Sequence, residues 1–275
     1  MRLIRFGEPG CERPGLWQKD GIVDLRRHFP EIPDIQEDFF NQGWLTRLAG
    51  AELPGEPLKM RLGPPLARPA KIICLGKNYS EHAKEGGFDA PKTPLLFCKT
   101  PNTVNGPFDP VLIPVSSGQI DWEVELAVVI GRGAKRLSRA EAMGCVAGYM
   151  VMNDVSQFAD SQWFRGKAFD TFAPMGPCLA TTDEIGDITN LQLTTRVNGV
   201  LMQDGNTRDM IFDIPTLLVD ISRDITLAPG DVISTGTPSG VGVFRDPPVV
   251  LAPGDEVTCE IENIGAITNR FVSTL

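Results

Sequence analysis

Three acidic residues at alternate positions, Asp121, Glu123 and Glu125, stand in the stretch DWEVELAVVI. In an extended strand alternate side chains share a face, so this spacing gathers three carboxylates on one side and Trp122, Val124 and Leu126 on the other. The run continues into AVVI, a buried type of segment, where like charges repel unless a cation offsets them. Oxygen-only ligation suits Mg2+ or Mn2+, with Ca2+ a further option, whereas zinc prefers Cys and His. The same spacing also allows a plainer arrangement, a solvated polar face on an edge strand. Asp154 closes the apolar run GYMVMN and is placed to add an oxygen ligand from a neighbouring strand; its plainer role is a helix N-cap.

A second constellation is NYSEHAKEGG, residues 78–87, which reads as a short helix capped by Ser80 and ended by Gly86. On a helix, His82 and Glu85 are three residues apart and share a face. A carboxylate beside an imidazole orients it and raises its basicity, which makes a general base able to activate water near neutral pH. A surface His/Glu contact is the alternative. Only one other histidine exists, His28 in LRRHFP, and it reads as a surface residue. Lys167 lies in RGKAFDTFAPMGP, whose Gly, Pro and aromatic content predicts a pocket-lining loop rather than a regular element. Its ammonium is either an oxyanion stabiliser or a solvated cation. The segment STGTPSGVG, residues 234–242, is a Gly-rich turn after a strand. It lacks the Gly-Lys-Ser/Thr ending of a P-loop, so it predicts close backbone approach to a small anion rather than nucleotide binding.

These residues need a scaffold, and most of the chain supplies strands. KIICLG, PLLFCK, WEVELAVVIG, GYMVMNDV, LQLTTRVNG, DVISTG and EVTCEIENIG are short apolar or alternating runs closed by turn residues. Ser138 to Glu141 has capping-box spacing, and Asp213-Ile214-Pro215 starts a further helix. Ala-Pro-Gly-Asp occurs at 228–231 and 252–255, each before a strand, and predicts two similar turns. Residues 1–66 read as a small α+β unit of two or three strands and a helix over 34–49, followed by a proline-rich linker. Residues 67–275 read as the main unit. The predicted class is mainly β with some α.

Of the 275 residues, 26 are Lys or Arg and 35 are Asp or Glu, a formal charge of −9. An acidic surface without basic clusters disfavours nucleic acid and anionic membranes, leaving small molecules as the expected partners. The N-terminal MRLIRFGEPG has too short an apolar stretch for a signal peptide, and the expected location is cytoplasmic. Cys11, Cys74, Cys98, Cys145, Cys178 and Cys259 form no CxxC pair and read as reduced, mostly buried thiols.

Taken in order, GKNYSEHAKE, LFCKTPNTVNGP, DWEVELAVVIG, GYMVMNDVS, RGKAFDTFAPMGP, VNGVLMQDGNT with DMIF, and STGTPSGVG resemble the fumarylacetoacetate hydrolase family over about residues 70–272. The resemblance implies a mixed β-roll and a homodimer, with Glu123, Glu125 and Asp154 holding Mg2+ or Mn2+. It also implies a water-activating pair of His82 and Glu85, and a catalytic Lys167. Substrate contacts are implied at Tyr79, Lys99, Asp170, Gly236 and Thr237. The implied reaction is C–C hydrolysis of an acylpyruvate-like or 2,4-diketo acid, with decarboxylation of an oxaloacetate-type β-keto acid or a ureidoglycolate-lyase-like reaction as alternatives. A non-catalytic metal- or ligand-binding protein is the rival of a different class. Many hydrolases of the family carry Arg four and Gln seven residues after the metal-binding Asp; here Phe158 and Ser161 stand there.

Overall fold

Apolar residues at both parities of positions 124–130 require a strand covered on both faces, and this strand is the centre of the fold. The computed structural model describes residues 1–51, 53–57, 60–115, 118–159 and 162–274. The chain opens with β1 (Arg2–Phe6), β2 (Arg13–Gln18), β3 (Gly21–Asp24), α1 (Leu25–His28), α2 (Glu37–Asn41), α3 (Trp44–Leu48) and β4 (Leu62–Gly63). There follow β5 (Ile72–Gly76), α4 (Ser80–Glu85), β6 (Leu95–Lys99), β7 (Val104–Asn105), β8 (Val111–Ile113), β9 (Ile120–Asp121), β10 (Val124–Ile130), α5 (Arg139–Ala142), β11 (Val146–Asn153) and β12 (Ser156–Gln157). The remainder holds α6 (Trp163–Lys167), β13 (Ala173–Thr181), β14 (Gln192–Val197), β15 (Val200–Asn206), α7 (Ile214–Asp224), β16 (Val232–Ser234), β17 (Glu256–Ile261) and β18 (Gly265–Ser273).

One sheet runs β3-β2-β1-β13-β11-β10-β16-β5-β6, with β4 on β1 and β7 on β13; a second runs β15-β14-β17-β18-β8. Alternation along β10 assigns its faces. Val124, Leu126, Val128 and Ile130 enter the core shared with Leu193, Cys259, Ile261, Ile267 and Phe271 of the second sheet. Ala127 and Val129 face the other way, into a core with Phe39, Phe40, Trp44 and Leu48. Glu123 and Glu125 share the parity of Ala127, so the acidic residues lie at one end of a strand whose remaining length is sealed in hydrocarbon. Burial of this kind contributes about 25 cal/mol per Å2 of apolar surface.

Several local expectations need correction. The helix foreseen over 34–49 is two short helices, because Gly43 adopts a left-handed φ of 71° between them. The sheet also crosses residue 66: β1 pairs directly with β13, Arg2 opposite Ala180, and α2 and α3 cover the back of the central strands. Ser80 is the first helical residue and not a cap, since Tyr79 holds the cap position without a side-chain hydrogen bond. Residues 165–177, foreseen as an irregular loop, are the end of α6, a short link and the start of β13. The Ser138–Glu141 capping box and the Asp213 cap are formed. All six cysteines are free; Cys11 and Cys98 are exposed and the other four buried. Among the described residues no helix is long and apolar enough to cross a membrane.

Candidate active site

The chain breaks from β9 to β10 at Trp122–Glu123, and the break separates the three alternating carboxylates. Asp121 turns away from the other two and accepts from the N–H groups of Gly242 and Val243, each at 2.8 Å, and from that of Trp122. Its place is taken by Asp154. Carboxylate oxygens of Glu123, Glu125 and Asp154, all buried, lie within 4.8 Å of one another. The backbone fixes this approach: the Asp154 N–H donates to the Glu123 carbonyl, and the Glu123 N–H to Asn153 Oδ1. No helix follows Asp154, so the capping role does not arise.

Two lysines intrude on the cage. Lys167 Nζ donates to Glu123 Oε2 at 2.9 Å and to Asp154 Oδ2 at 2.7 Å. Lys99 Nζ, with no side-chain exposure, donates to Asp154 Oδ1 at 2.6 Å and to the Val155 carbonyl at 2.9 Å. Burial alone would raise the Asp154 carboxyl, but the ammoniums of Lys167 and Lys99 outweigh it and hold it below the usual carboxylate range. Burial likewise opposes the charge of Lys167, yet Asp154, Glu123 and Glu125 together keep the ammonium more firmly protonated than usual. Glu125 goes the other way. Its burial, reinforced by the charges of Asp154 and Glu123, pushes its carboxyl well above the ordinary value. Ser234 Oγ and the Gly236 N–H both donate to Glu125 Oε2, while Oε1 accepts from no described residue. Buried, oxygen-only and short of positive charge, this donor set fits a hard divalent cation such as Mg2+ or Mn2+.

A cavity of about 290 Å3 opens over the cage, lined at its polar end by Glu123, Glu125, Lys167, Ser156, Gln157 and Thr237. The rest of its lining is largely aromatic. Phe244 stands between Phe88 and Phe158, with ring centroids 6.4 and 6.3 Å away, and Trp163 meets Phe97 edge-on. His82 lines the same cavity, 5.8 Å from the Phe244 ring. Its Nδ1 lies 3.5 Å from Glu85 Oε2, too far for a formed hydrogen bond, and is buried without another partner. That leaves Nε2 as the nitrogen offered to a ligand. Apo geometry of this looseness is common in general bases that tighten on substrate binding. The Gly-rich loop after β16 does approach anions closely, and they are this chain's own carboxylates: Gly236 N–H meets Glu125, Gly240 N–H meets Glu85, and Gly242 and Val243 meet Asp121.

The family model described as fumarylacetoacetate (FAA) hydrolase C-terminal matches residues 71–272. The chain belongs to the fumarylacetoacetate hydrolase family. Among relatives, oxaloacetate tautomerase FAHD2B, mitochondrial, of Bos taurus is 43% identical over 288 residues, covering 99% of this chain and 92% of that one. Fumarylacetoacetate hydrolase EaFAH from psychrophilic Exiguobacterium antarcticum shares the fold at a TM-score of 0.83 and 35% identity, covering 100% of both chains. Maleylpyruvate hydrolase from Sphingobium sp. SYK-6, solved with manganese(II) and pyruvate, does so at 0.81 and 30%, with the same coverage. The mainly β architecture is therefore that of the fumarylacetoacetate hydrolase fold, and these named relatives are enzymes.

Against the family expectation, the cavity brings together His82, Glu123, Glu125, Lys167 and Thr237, with Glu85 and Asp154 directly behind. Thr237 Oγ1 donates to the Val124 carbonyl and accepts from Gln203 Nε2. Gly236 acts through its N–H on Glu125. Three of the expected substrate contacts lie elsewhere. Lys99 is sealed beneath Asp154, Tyr79 is buried with its hydroxyl unpartnered, and Asp170 is an exposed acceptor for Asn102. Lys167 is neither a solvated cation nor a free one, since two carboxylates hold it. Phe158, noted in the sequence as a departure from many hydrolases of the family, lines the cavity, and Ser161 lies outside the described residues. Sequence reasoning missed the aromatic wall, because Phe88, Phe97, Phe158, Trp163 and Phe244 are scattered over 157 positions of chain and carry no local motif. It also missed Lys77, whose only signal is its place between β5 and α4.

Proposed function

We propose that this protein is a divalent-metal-dependent enzyme that moves a proton at the carbon beside the keto group of an oxaloacetate-like 2-oxo acid, a keto–enol tautomerase. The observation that carries the reading is that His82, backed by Glu85, lines the same cavity as the acidic cage. The 43% identity to a protein named oxaloacetate tautomerase supports the substrate class.

Glu123, Glu125 and Asp154 would hold the cation. When bound, it supplies positive charge beside the oxygen on which negative charge develops during enolisation. The protein's own groups do the rest. With all three acids ionised, Lys99 and Lys167 leave the cage one negative charge; a divalent ion makes it one positive, which one substrate carboxylate neutralises. Nε2 of His82 takes the proton from the substrate carbon, and the electron pair of that C–H bond becomes the enolate. The imidazolium then returns the proton, to carbon for the keto form or to oxygen for the enol. Glu85 keeps the charged ring oriented. Substrate filling the cavity against the aromatic wall would displace water, which strengthens each of these interactions.

C–C hydrolysis of an acylpyruvate is the second reading, favoured by Gln157. Its amide lines the cavity with Oε1 buried and unpartnered, so it is available to accept a hydrogen bond from an attacking water. Hydrolysis asks for more donors than tautomerisation, and Lys167 is already engaged. The deciding experiment follows oxaloacetate enol absorbance with Mn2+-loaded protein, alongside product analysis on acylpyruvates. Removing a general base typically costs about 10²–10⁴ in rate, so His82→Gln should lose that factor in tautomerisation. Full turnover by His82→Gln would sink the proposal; carboxylic acid release from acylpyruvates without enol interconversion would favour hydrolysis.

A further inference from the structure

The cage consumes two ammoniums, Lys99 and Lys167, on its own carboxylates. A third, Lys77, lines the same cavity and meets no carboxylate among the described residues. Its Nζ lies instead over the face of Phe88, 3.3 Å from the ring centroid. An aromatic face holds an ammonium in place without neutralising it. The backbone at Lys77 is left-handed, with φ of 59°, a conformation that glycine adopts freely and lysine rarely. Strained residues of this kind concentrate at binding sites, where the surrounding structure holds them for a purpose. Phe88 in turn packs edge-on against Phe244, so the surface beside this cation is aromatic rather than acidic. A low-polarity wall with one uncommitted positive charge attracts an anion more strongly than an exposed lysine does.

We infer that Lys77 receives the second, distal carboxylate of a dicarboxylic 2-oxo acid and sets the preference for such substrates over monocarboxylic ones. This rests on the 2-oxo acid reading above: one substrate carboxylate goes to the cage end, the other to Lys77. Lys77 and Phe88 flank α4 in the chain, and His82 of that helix lines the same cavity as Lys77 and the cage. Lys77 takes no part in the cage or in proton transfer. It is a specificity residue.

The test uses the full chain loaded with Mn2+, as wild type, Lys77→Met, Lys77→Gly and Lys77→Arg. Calorimetric titration compares 3,3-difluorooxaloacetate, which has no C3 proton and cannot be enolised, with pyruvate, which has no second carboxylate. Loss of the charge contact should weaken the dicarboxylate about tenfold in the Met and Gly variants, leave pyruvate within about twofold, and be largely prevented by Arg. Lys77→Gly also relieves the left-handed backbone, so a folding defect does not confound the result. Equal weakening of both ligands, an unchanged ratio in the Met and Gly variants, or no preference for the dicarboxylate in wild type would overturn the inference. Because the fluorinated ligand does not react, a wild type that binds it selectively yet fails to tautomerise oxaloacetate would refute the activity and leave the role of Lys77 standing.

Discussion

Both carboxylate oxygens of Glu85 accept the Gly240 N–H at 3.0 Å, while Oε2 stands 3.5 Å from His82 Nδ1. The Gly-rich loop thus anchors the group that orients the base, and α4 is tied across the cavity to the chain after β16. Gly240 has φ of 104°, and a Cβ there would come within 2.2 Å of the Met202 carbonyl. Gly240→Ala must shift the loop. The expected outcome is a loss of about 2 kcal/mol or more in stability and at least about tenfold in turnover, with Mn2+ affinity retained. Thermal unfolding, steady-state kinetics and metal titration check the three parts. Glu85→Gln, which keeps an acceptor for Gly240, should lose turnover with little change in melting temperature.

The cage makes a paired prediction about Glu125. A Gln side-chain oxygen can still accept from Ser234 Oγ and the Gly236 N–H, which both use one oxygen of Glu125. What Glu125→Gln removes is the carboxyl group that a bound cation would draw into its charged form beside Asp154 and Glu123. The metal-free variant should therefore unfold no more easily than metal-free wild type, yet gain nothing from Mn2+. Wild type should gain about 2.7 kcal/mol at one hundred times the dissociation constant. Equal stabilisation of both proteins by Mn2+ would exclude Glu125 as a ligand.

Asp121 gives a prediction in pH. Burial pushes its carboxyl up to about 7, against the pull of the N–H groups of Val243, Gly242 and Trp122. A folded-state value raised above the unfolded one means that the folded protein binds the extra proton between about 4 and 7. The resulting stability is fully present below about 4 and is lost as pH rises through 7. Between pH 4 and 8 wild type should lose stability that Asp121→Asn does not, by a difference on the order of a few kcal/mol. Denaturant midpoints of the two proteins at several pH values check this; parallel curves would refute it.

Strand alternation was enough to put Glu123, immediately before β10, on the same side as Glu125 within it, because side-chain parity is a local property of extended backbone. The same rule misplaced Asp121, since it assumes an unbroken strand and the chain turns at Trp122. Helix spacing placed His82 beside Glu85 for the same local reason. The contacts that complete the site are long-range. Nothing near Lys99 announces Asp154, 55 residues away, and nothing near Glu85 announces Gly240, 155 away. Pairings of this kind are set by sheet order, with β5, β16, β10 and β11 side by side, which residue spacing does not encode. Recognising the family supplied the fold, but not the direction of Lys99, whose ammonium supports a carboxylate rather than facing the cavity.

Lys99 allows a separation of structural from chemical roles. Its ammonium is completely buried, one hydrogen bond going to Asp154 and one to the Val155 carbonyl, and it does not line the cavity. Lys99→Met keeps the length and apolar stem but leaves Asp154 Oδ1 without its cation. Breaking a buried pair by deleting one partner costs about 3–5 kcal/mol, because the remaining charge is stranded. Asp154 keeps Lys167, which places the expected loss near the lower end. The cage of this variant also carries one more net negative charge than that of wild type, so Mn2+ should stabilise it more than it stabilises wild type. Substrate contact by Lys99 predicts the contrary pattern: near-native stability, unchanged metal response and a raised KM. Melting temperatures with and without Mn2+, set beside KM for oxaloacetate, distinguish the two. A native melting temperature in Lys99→Met would show that Asp154 does not depend on this ammonium.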